Sequence, residues 1–82
     1  MMFYVYMLKS VNNKFTKTYV GYTNNLKLRL KKHNSGIGAK STRGYKWKII
    51  YKKKFYDKRL AMSFEYKLKK DQKKRNYILN KS

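Results

Sequence analysis

The sequence has no cysteine, no proline, only three acidic residues and a single histidine. Without cysteine, neither a disulfide framework nor a cysteine-ligated zinc site can hold the fold together. With a single histidine, a metal-free ribonuclease mechanism that needs one histidine as acid and another as base is excluded. No apolar run approaches the roughly 18 residues that a membrane-spanning helix requires. The 82 residues must therefore build their small hydrophobic core unaided.

Positive charge is what the chain has in excess. Lysine and arginine outnumber aspartate and glutamate by 23 to 3, which gives a formal net charge of +20. Such a field attracts polyanions, and nucleic acid is the commonest polyanion in a cell. Apolar residues make up 41% of the chain and aromatic residues 17%, too much for a disordered basic tail. We therefore expect one folded domain over residues 1–82 with a basic surface.

The first residues do not predict a targeting signal. The segment Met1 to Leu8 is apolar, but no basic stretch precedes it and no small-residue cleavage site follows it. We expect an intracellular, cytoplasmic protein that associates with nucleoid or viral DNA and not with membranes.

Two strands and a helix are predicted in the first half of the chain. Residues 3–8 form a continuous β-prone run, residues 10–14 predict a polar turn, and residues 16–22 form a second run. The short connection favours an antiparallel hairpin. Over residues 24–34 two leucines four apart predict a lysine-rich helix, and Gly36 is expected to end it.

The second half predicts a loop, a strand and two helices. Residues 34–44 contain three glycines and form the loop, and residues 47–55 alternate apolar residues with lysines as a third strand. Asp57 and Asp71 are expected to cap the two helices. The apolar face of the first of these helices is expected at Leu60, Ala61, Phe64 and Leu68. The order β-β-α-β-α-α predicts the α+β class, with a small antiparallel sheet flanked by helices.

Glu65 is the one acidic residue that helix capping does not explain. It lies at the border of the apolar face of its helix. One interpretation is an ion pair with Lys69, four residues later. The other is a ligand for Mg²⁺, which keeps several waters and can be held by one or two carboxylates together with substrate phosphate. A two-metal site needs several converging acids, which this chain does not have.

Arg29 and His33 stand four residues apart and so share one face of the predicted first helix. Each is either a solvated surface residue or part of a common cleft. In a cleft, Arg29 would offer a planar fork to a phosphate, and His33 a hydrogen bond or a proton transfer.

Three tyrosines in the predicted hairpin can lie close together. Tyr4 and Tyr6 point to one face of the first strand, and Tyr19 approaches the same region from the second. They either pack in the core or position and activate a water molecule. The second interpretation expects the surrounding cations to lower the phenol pKa.

The order and spacing of five segments resemble the GIY-YIG nucleases, in particular the small stand-alone branch of that family. Each segment alone is a weak signal, and together they cover nearly the whole chain. The segments are YVYML at 4–8, TYVGYT at 18–23, LRLKKHNSG at 28–36, GAKSTRG at 38–44, and residues 61–70 around Glu65.

This resemblance implies a three-stranded antiparallel sheet flanked by helices, and hydrolysis of DNA phosphodiester bonds with one Mg²⁺ or Mn²⁺ ion. Tyr6 and Tyr19 would position or deprotonate water, Arg29 would contact the phosphate, His33 would support them, and Glu65 would bind the metal. Gly21 is expected to leave room for the substrate backbone. Asn76 and Asn80 are both candidates for an asparagine that some members carry after the metal-binding helix. Nucleic-acid contacts are expected from Lys31, Lys32, Lys40, Thr42 and Arg43.

Three functions remain open at this stage. The first is an endonuclease selective for strand or structure and not for base sequence, acting on single-stranded, branched or duplex DNA, with RNA as a further candidate. The second is a nucleic-acid-binding protein of the same fold without catalysis. The third is a polycation that acts on membranes or assembles with RNA. The sequence lacks the segregated amphipathic helix that binding to a membrane surface requires, which counts against the membrane form.

Overall fold

The computed structural model describes residues 1–12 and 14–82, so Asn13 of the expected polar turn lies outside the described residues. The helices and strands follow the expected order, with one additional 3₁₀ turn at Lys40–Thr42. Their bounds are β1 Phe3–Val11, β2 Thr18–Thr23, α1 Leu26–Ser35, β3 Lys46–Phe55, α2 Lys58–Lys70 and α3 Gln72–Lys81.

The sheet has three antiparallel strands in the order β2-β1-β3, which confirms the predicted α+β fold. β1 is the central strand and pairs with both neighbours. Its Tyr6 lies opposite Gly21 of β2 and Lys52 of β3. The register therefore puts Tyr6 beside the one residue of β2 that has no side chain.

The two faces of the sheet carry different cores. Because side chains alternate along a strand, Val5 and Met7 point to one face of β1, while Tyr6 and Leu8 point to the other. The first face packs against α2 and α3 through Ala61, Leu68 and Ile78. The second packs Leu26 and Leu30 of α1 against residues that include Tyr6, Leu8, Tyr19, Trp47 and Ile49.

An irregularity in β3 changes the expected alternation of that strand. Met7 pairs with Tyr51 and Leu8 with Ile49, so Ile50 is an extra residue in the ladder. A bulge of this kind reverses which face the following side chains occupy. Trp47 and Ile49 therefore pack on the α1 side of the sheet, whereas Tyr51 and Phe55 pack on the α2 side.

Helix ends follow the sequence closely. The side chain of Asp57 accepts a hydrogen bond from the backbone N–H of Arg59, and that of Asp71 from Lys74, so both predicted caps are confirmed. Gly36 ends α1 with φ 83°, a left-handed conformation that glycine adopts without strain. The N-cap of α1 is Asn25, whose side chain accepts from Leu28.

Two details of the expected pattern are corrected by the structure. Ser10 belongs to β1 and not to the turn, because its buried hydroxyl accepts a hydrogen bond from the backbone of Lys17 and so continues the pairing of the hairpin. Leu60 is 59% exposed, because it lies outside the buried side of α2 that Ala61 and Leu68 define. None of the helices described in residues 1–12 and 14–82 is long and apolar enough to cross a membrane.

Candidate active site

Tyr6 lies at the centre of a buried polar cluster between β1 and α1. Its side chain is almost fully buried, with an exposed fraction of 1%. The hydroxyl oxygen is 2.9 Å from Nε2 of His33 and 3.4 Å from Nε of Arg29. Arg29 and His33 are one helical turn apart in α1, so their common face is directed at Tyr6. The structure thus brings the two side chains together at the Tyr6 hydroxyl, with His33 buried.

Gly21 makes this position of the Tyr6 ring possible. A Cβ atom on Gly21 would lie 2.6 Å from the Tyr6 hydroxyl oxygen and 3.0 Å from Cε2 of Tyr19. The first distance is closer than a Cβ atom approaches in real proteins, and the second is tighter than most Cβ contacts. The role expected for Gly21 is therefore corrected: the space that its missing side chain leaves is filled by the phenol of Tyr6 and not reserved for a substrate backbone.

The second tyrosine lies against the same cluster. The ring centroid of Tyr19 is 4.9 Å from that of His33 and 6.3 Å from that of Tyr6. Tyr19 is half-buried, whereas Tyr6 and His33 are buried. Of the aromatic side chains in the cluster, Tyr19 is therefore the most exposed.

His33 is fixed on both sides of its ring. Its Nε2 contacts Tyr6, and its Nδ1 is 2.9 Å from the hydroxyl oxygen of Thr42. Both His33 and Thr42 have an exposed fraction of 0%. The expectation that Thr42 contacts nucleic acid is therefore corrected, because this side chain is turned inward, where it contacts His33.

The loop around Thr42 is held by residues that sequence reasoning missed. The side chain of Asn34 accepts from the backbone N–H of Trp47 at 2.6 Å and donates to its carbonyl at 3.2 Å. The Trp47 indole N–H donates to the carbonyl of Thr42 at 2.9 Å. A Cβ on Gly38 would lie 2.6 Å from Nδ1 of His33, so this glycine lets the loop cross the imidazole closely. The position of Asn34 directly after His33 is the one local feature of the sequence that could have indicated this role.

Burial shifts the ionisation of Tyr6 and His33 away from their charged forms. Burial raises the pKa of Tyr6 to about 12, although its hydrogen bond with Arg29 acts in the opposite direction. The expected lowering of the phenol pKa by cations is therefore wrong for Tyr6, because loss of hydration outweighs the one cation in contact. Burial and the nearby charge of Arg29 lower the pKa of His33. The hydrogen bond with Tyr6 raises the pKa of Arg29, which stays a cation.

Glu65 lies on α2 with its side chain 17% exposed. Its carboxylate is 3.5 Å from the Lys69 ammonium, so the expected i,i+4 ion pair is present. The charge of Glu65 makes only the smallest contribution to the raised pKa of Tyr6. α2 packs on the face of the sheet formed by Val5 and Met7, which is opposite the face to which Tyr6 points.

A metal ion would find few protein ligands among the described residues. Within residues 1–12 and 14–82, no group of three or more histidine or acidic side chains could hold a metal ion. Glu65 is thus a lone carboxylate, and an ion bound there would take its other ligands from water and from a substrate phosphate. Mg²⁺ is commonly bound in this way.

The remaining predicted residues lie around this cluster on the surface. Lys31, Lys40 and Arg43 are exposed, and Lys32 is half-exposed. Next to Arg29, a polar cavity of about 190 Å³ is lined by Thr23, Asn24, Asn25, Leu28, Arg29 and Lys32.

The two asparagines considered for the site lie on α3. Asn76 and Asn80 are both exposed. α3 packs on α2 and β3, and β3 is at the opposite edge of the sheet from β2, where Tyr19 lies. In the part of the chain that the structure describes, neither asparagine therefore lies on an element that forms the Tyr6 cluster.

Comparison with known proteins matches both the sequence and the fold. The family profile described as "GIY-YIG catalytic domain" matches residues 2–78. A UPF0213 protein of Clostridium perfringens is 50% identical over 68 residues, which cover 82% of this chain and 70% of that protein. A UPF0213 protein of Oceanobacillus iheyensis is 46% identical over 67 residues, which cover 80% of this chain and 74% of that protein.

A solved structure gives the same result. The solution NMR structure of a UPF0213 protein from Bacillus halodurans superposes with a TM-score of 0.53 at 34% identity. The match covers 98% of this chain and 84% of that one. These agreements extend over all the elements that form the Tyr6 cluster. The chain therefore belongs to the GIY-YIG family of nuclease domains.

Proposed function

We propose that this protein is a divalent-metal-dependent endonuclease that hydrolyses phosphodiester bonds of DNA. Membership of a nuclease family implies a nucleic-acid substrate, and the net charge of +20 supplies the attraction for it. No base-reading helix is evident in the part of the chain that the structure describes, so we propose selection by strand or shape and not by base sequence. Single-stranded, branched and duplex DNA are the candidate substrates, with RNA as a further candidate.

One observation supports catalysis above all: the Tyr6 hydroxyl is held between an imidazole and a guanidinium in a buried cluster. Burial keeps Tyr6 protonated at neutral pH and His33 uncharged. A neutral imidazole next to a phenol can accept its proton. In the proposed reaction, the proton of the attacking water passes to the oxygen of Tyr6 while the Tyr6 proton passes to Nε2 of His33.

Arg29 and Glu65 complete the proposed chemistry. Arg29 stays positively charged and borders a polar cavity, so it can contact the scissile phosphate and stabilise the charge that develops there. Glu65 would hold a Mg²⁺ or Mn²⁺ ion, which would polarise the phosphate when bound. Lys31, Lys32, Lys40 and Arg43 would hold the nucleic-acid backbone beside the site.

A second function is favoured by charge alone. A surface with this excess of lysine binds nucleic acid whether or not the Tyr6 cluster catalyses a reaction. The two functions differ at Glu65, since a protein that only binds has no need of that carboxylate. Removing one negative charge from a basic surface cannot weaken its attraction to phosphates.

The deciding experiment compares the wild-type protein with Glu65→Gln on labelled single-stranded, duplex and branched DNA and on RNA, with and without Mg²⁺ or Mn²⁺. Loss of a metal ligand removes several kcal/mol of transition-state stabilisation, so cleavage by Glu65→Gln should fall by about 100-fold or more. Its affinity for uncleaved nucleic acid should not fall.

Lys69→Met is the matched control, because it breaks the ion pair and leaves the carboxylate in place. An exposed pair contributes about 0.5 kcal/mol or less, so cleavage should stay within about threefold of wild type. If the wild-type protein cleaves none of these substrates with either metal, the non-catalytic function is the correct one. If Glu65→Gln cleaves as fast as wild type, the metal-binding role of Glu65 is wrong.

A further inference from the structure

We propose that Thr42 is a positioning residue: its hydroxyl fixes His33 in the tautomer that carries hydrogen on Nδ1, so that Nε2 presents its lone pair to Tyr6. The tautomer itself follows from contacts within the protein. Its effect on catalysis rests on the function proposed above.

The direction of the hydrogen bonds starts at a backbone carbonyl. The Thr42 hydroxyl oxygen lies 2.8 Å from the carbonyl oxygen of Ala39, which can only accept. A hydroxyl has one hydrogen, so Thr42 donates it there. Its oxygen must then accept in its second contact, the one at 2.9 Å from Nδ1 of His33. Nδ1 therefore carries the hydrogen.

The other side of the imidazole agrees with this assignment. A neutral histidine has one N–H, so Nε2 is an acceptor once Nδ1 is the donor. The Tyr6 hydroxyl, 2.9 Å away, then donates to Nε2. Its other neighbour, Nε of Arg29 at 3.4 Å, can only donate, so the Tyr6 proton has His33 as its acceptor. Each hydrogen in the chain Tyr6, His33, Thr42, Ala39 is thus directed the same way.

The cationic form of His33 is not the resting form in these surroundings. It would carry hydrogen on both nitrogens, so Tyr6 would accept from His33 and from Arg29 and its own buried hydrogen would lack both of these neighbours as an acceptor. His33 is fully buried beside the Arg29 guanidinium, and both conditions lower its pKa. The neutral tautomer set by Thr42 is therefore the resting form.

The rest of the loop holds the Thr42 hydroxyl at this position. The 3₁₀ turn Lys40–Thr42 brings the side chain back over the carbonyl of Ala39. The Trp47 indole anchors the Thr42 carbonyl, and Gly38 leaves space for the imidazole. A side chain held in this way keeps its hydroxyl oxygen between the Ala39 carbonyl and Nδ1 of His33, so that its hydrogen points to the carbonyl and its lone pair faces the imidazole.

The test uses the fact that His33 is the sole histidine of the chain. Long-range ¹H–¹⁵N correlation spectra of uniformly ¹⁵N-labelled protein distinguish the two tautomers of one imidazole without ambiguity of assignment. We expect the wild type and Thr42→Ser, which keeps the hydroxyl, to show hydrogen on Nδ1. Thr42→Val keeps the shape but leaves a buried Nδ1–H without an acceptor, so hydrogen should move to Nε2.

The same variants are then compared by their kcat and KM for nucleic-acid cleavage. With hydrogen on Nε2, His33 cannot accept the proton of Tyr6, so kcat of Thr42→Val should fall by about 10- to 100-fold. KM for the nucleic acid should stay within about twofold, because the inward-facing hydroxyl does not contact substrate. Thr42→Ser should restore kcat to within about threefold of wild type.

Three results would overturn the proposal. Hydrogen on Nε2 in the wild-type spectrum would do so without any variant, and therefore even if Thr42→Val fails to fold. Retention of the Nδ1–H tautomer or of full kcat in folded Thr42→Val would also do so. If the wild type cleaves nothing, the function proposed above fails, while the tautomer measurement still decides the role of Thr42.

Discussion

The two faces of the central strand β1 differ sharply in what they bury. Val5 and Met7 meet Ala61, Leu68 and Ile78 in an apolar cluster. On the other face, Tyr6 is buried with two polar side chains of the α1 side, His33 and Thr42. In residues 1–12 and 14–82, every buried side-chain nitrogen or oxygen has a hydrogen-bond partner.

This difference separates stability from chemistry. A fully buried apolar side chain contributes about 1.5–3 kcal/mol, whereas a satisfied hydrogen bond contributes about 1 kcal/mol net. Both faces gain folding energy from buried apolar side chains, since Leu8 and Trp47 are buried on the side of Tyr6. The polar groups on that side add less per side chain, but they fix the orientation of Tyr6, His33 and Arg29.

Leu68→Ala should produce the largest change in stability, because it opens a cavity in the apolar face. The free energy of unfolding should fall by about 2–5 kcal/mol, as measured by chemical denaturation. Cleavage per folded molecule should not change. Leu60→Ala is the control on the same helix, and because Leu60 is 59% exposed its effect should stay within about 0.5 kcal/mol. A similar loss of unfolding free energy in both variants would show that burial in the cluster around Val5 and Met7 does not determine stability.

Gly21→Ala should instead affect the side of β1 that carries Tyr6. The added Cβ would meet the Tyr6 hydroxyl at 2.6 Å, so the ring must move, with a loss of about 1–3 kcal/mol in unfolding free energy. Cleavage should fall as well, because the Tyr6 hydroxyl leaves His33. Gly44→Ala is matched to it, since φ is 84° but nothing lies within 4 Å of the new Cβ.

Backbone strain should make Gly44→Ala lose about 1–2 kcal/mol while its cleavage per folded molecule is unchanged. Denaturation curves and cleavage assays on both variants separate the two effects. Full cleavage by Gly21→Ala would mean that the position of the Tyr6 ring is not required.

The pH dependence of stability should show the smallest effect. Because burial lowers the pKa of His33 below its usual 6.5, the unfolded chain binds a proton that the folded chain does not. This contribution to stability is present above pH 6.5 and is lost as the pH falls from there through the folded-state pKa. Denaturation midpoints of the wild type and of His33→Gln, recorded between pH 7.5 and pH 5, measure this contribution. The range spans about 6.5, the pKa of free histidine. A parallel decline in both proteins would contradict a neutral, buried His33.

Local sequence patterns predicted the secondary structure well because their causes are local. Asp57, Asp71 and Gly36 satisfy helix ends that lie within a few residues of them. The four-residue spacing of Arg29 and His33 likewise follows from helix geometry alone.

Features set by distant parts of the chain were not predicted. The bulge at Ile50 depends on how β3 pairs with β1, which no local pattern in β3 encodes. The inward position of Thr42 depends on Trp47 and His33 together. The direction of the Tyr6 pKa shift depends on the depth of burial, and composition alone suggested the opposite. The proposed roles of Glu65 and of the surface lysines remain predictions.

The bulge in β3 has a consequence for association between molecules. β3 forms an outer edge of the sheet, where backbone groups without a partner strand could template another chain. The extra residue, Ile50, twists that edge, and after Tyr51 come three exposed lysines, Lys52, Lys53 and Lys54. A second copy docking there would have to bring matching lysines against these, so this margin of the molecule resists strand-to-strand aggregation.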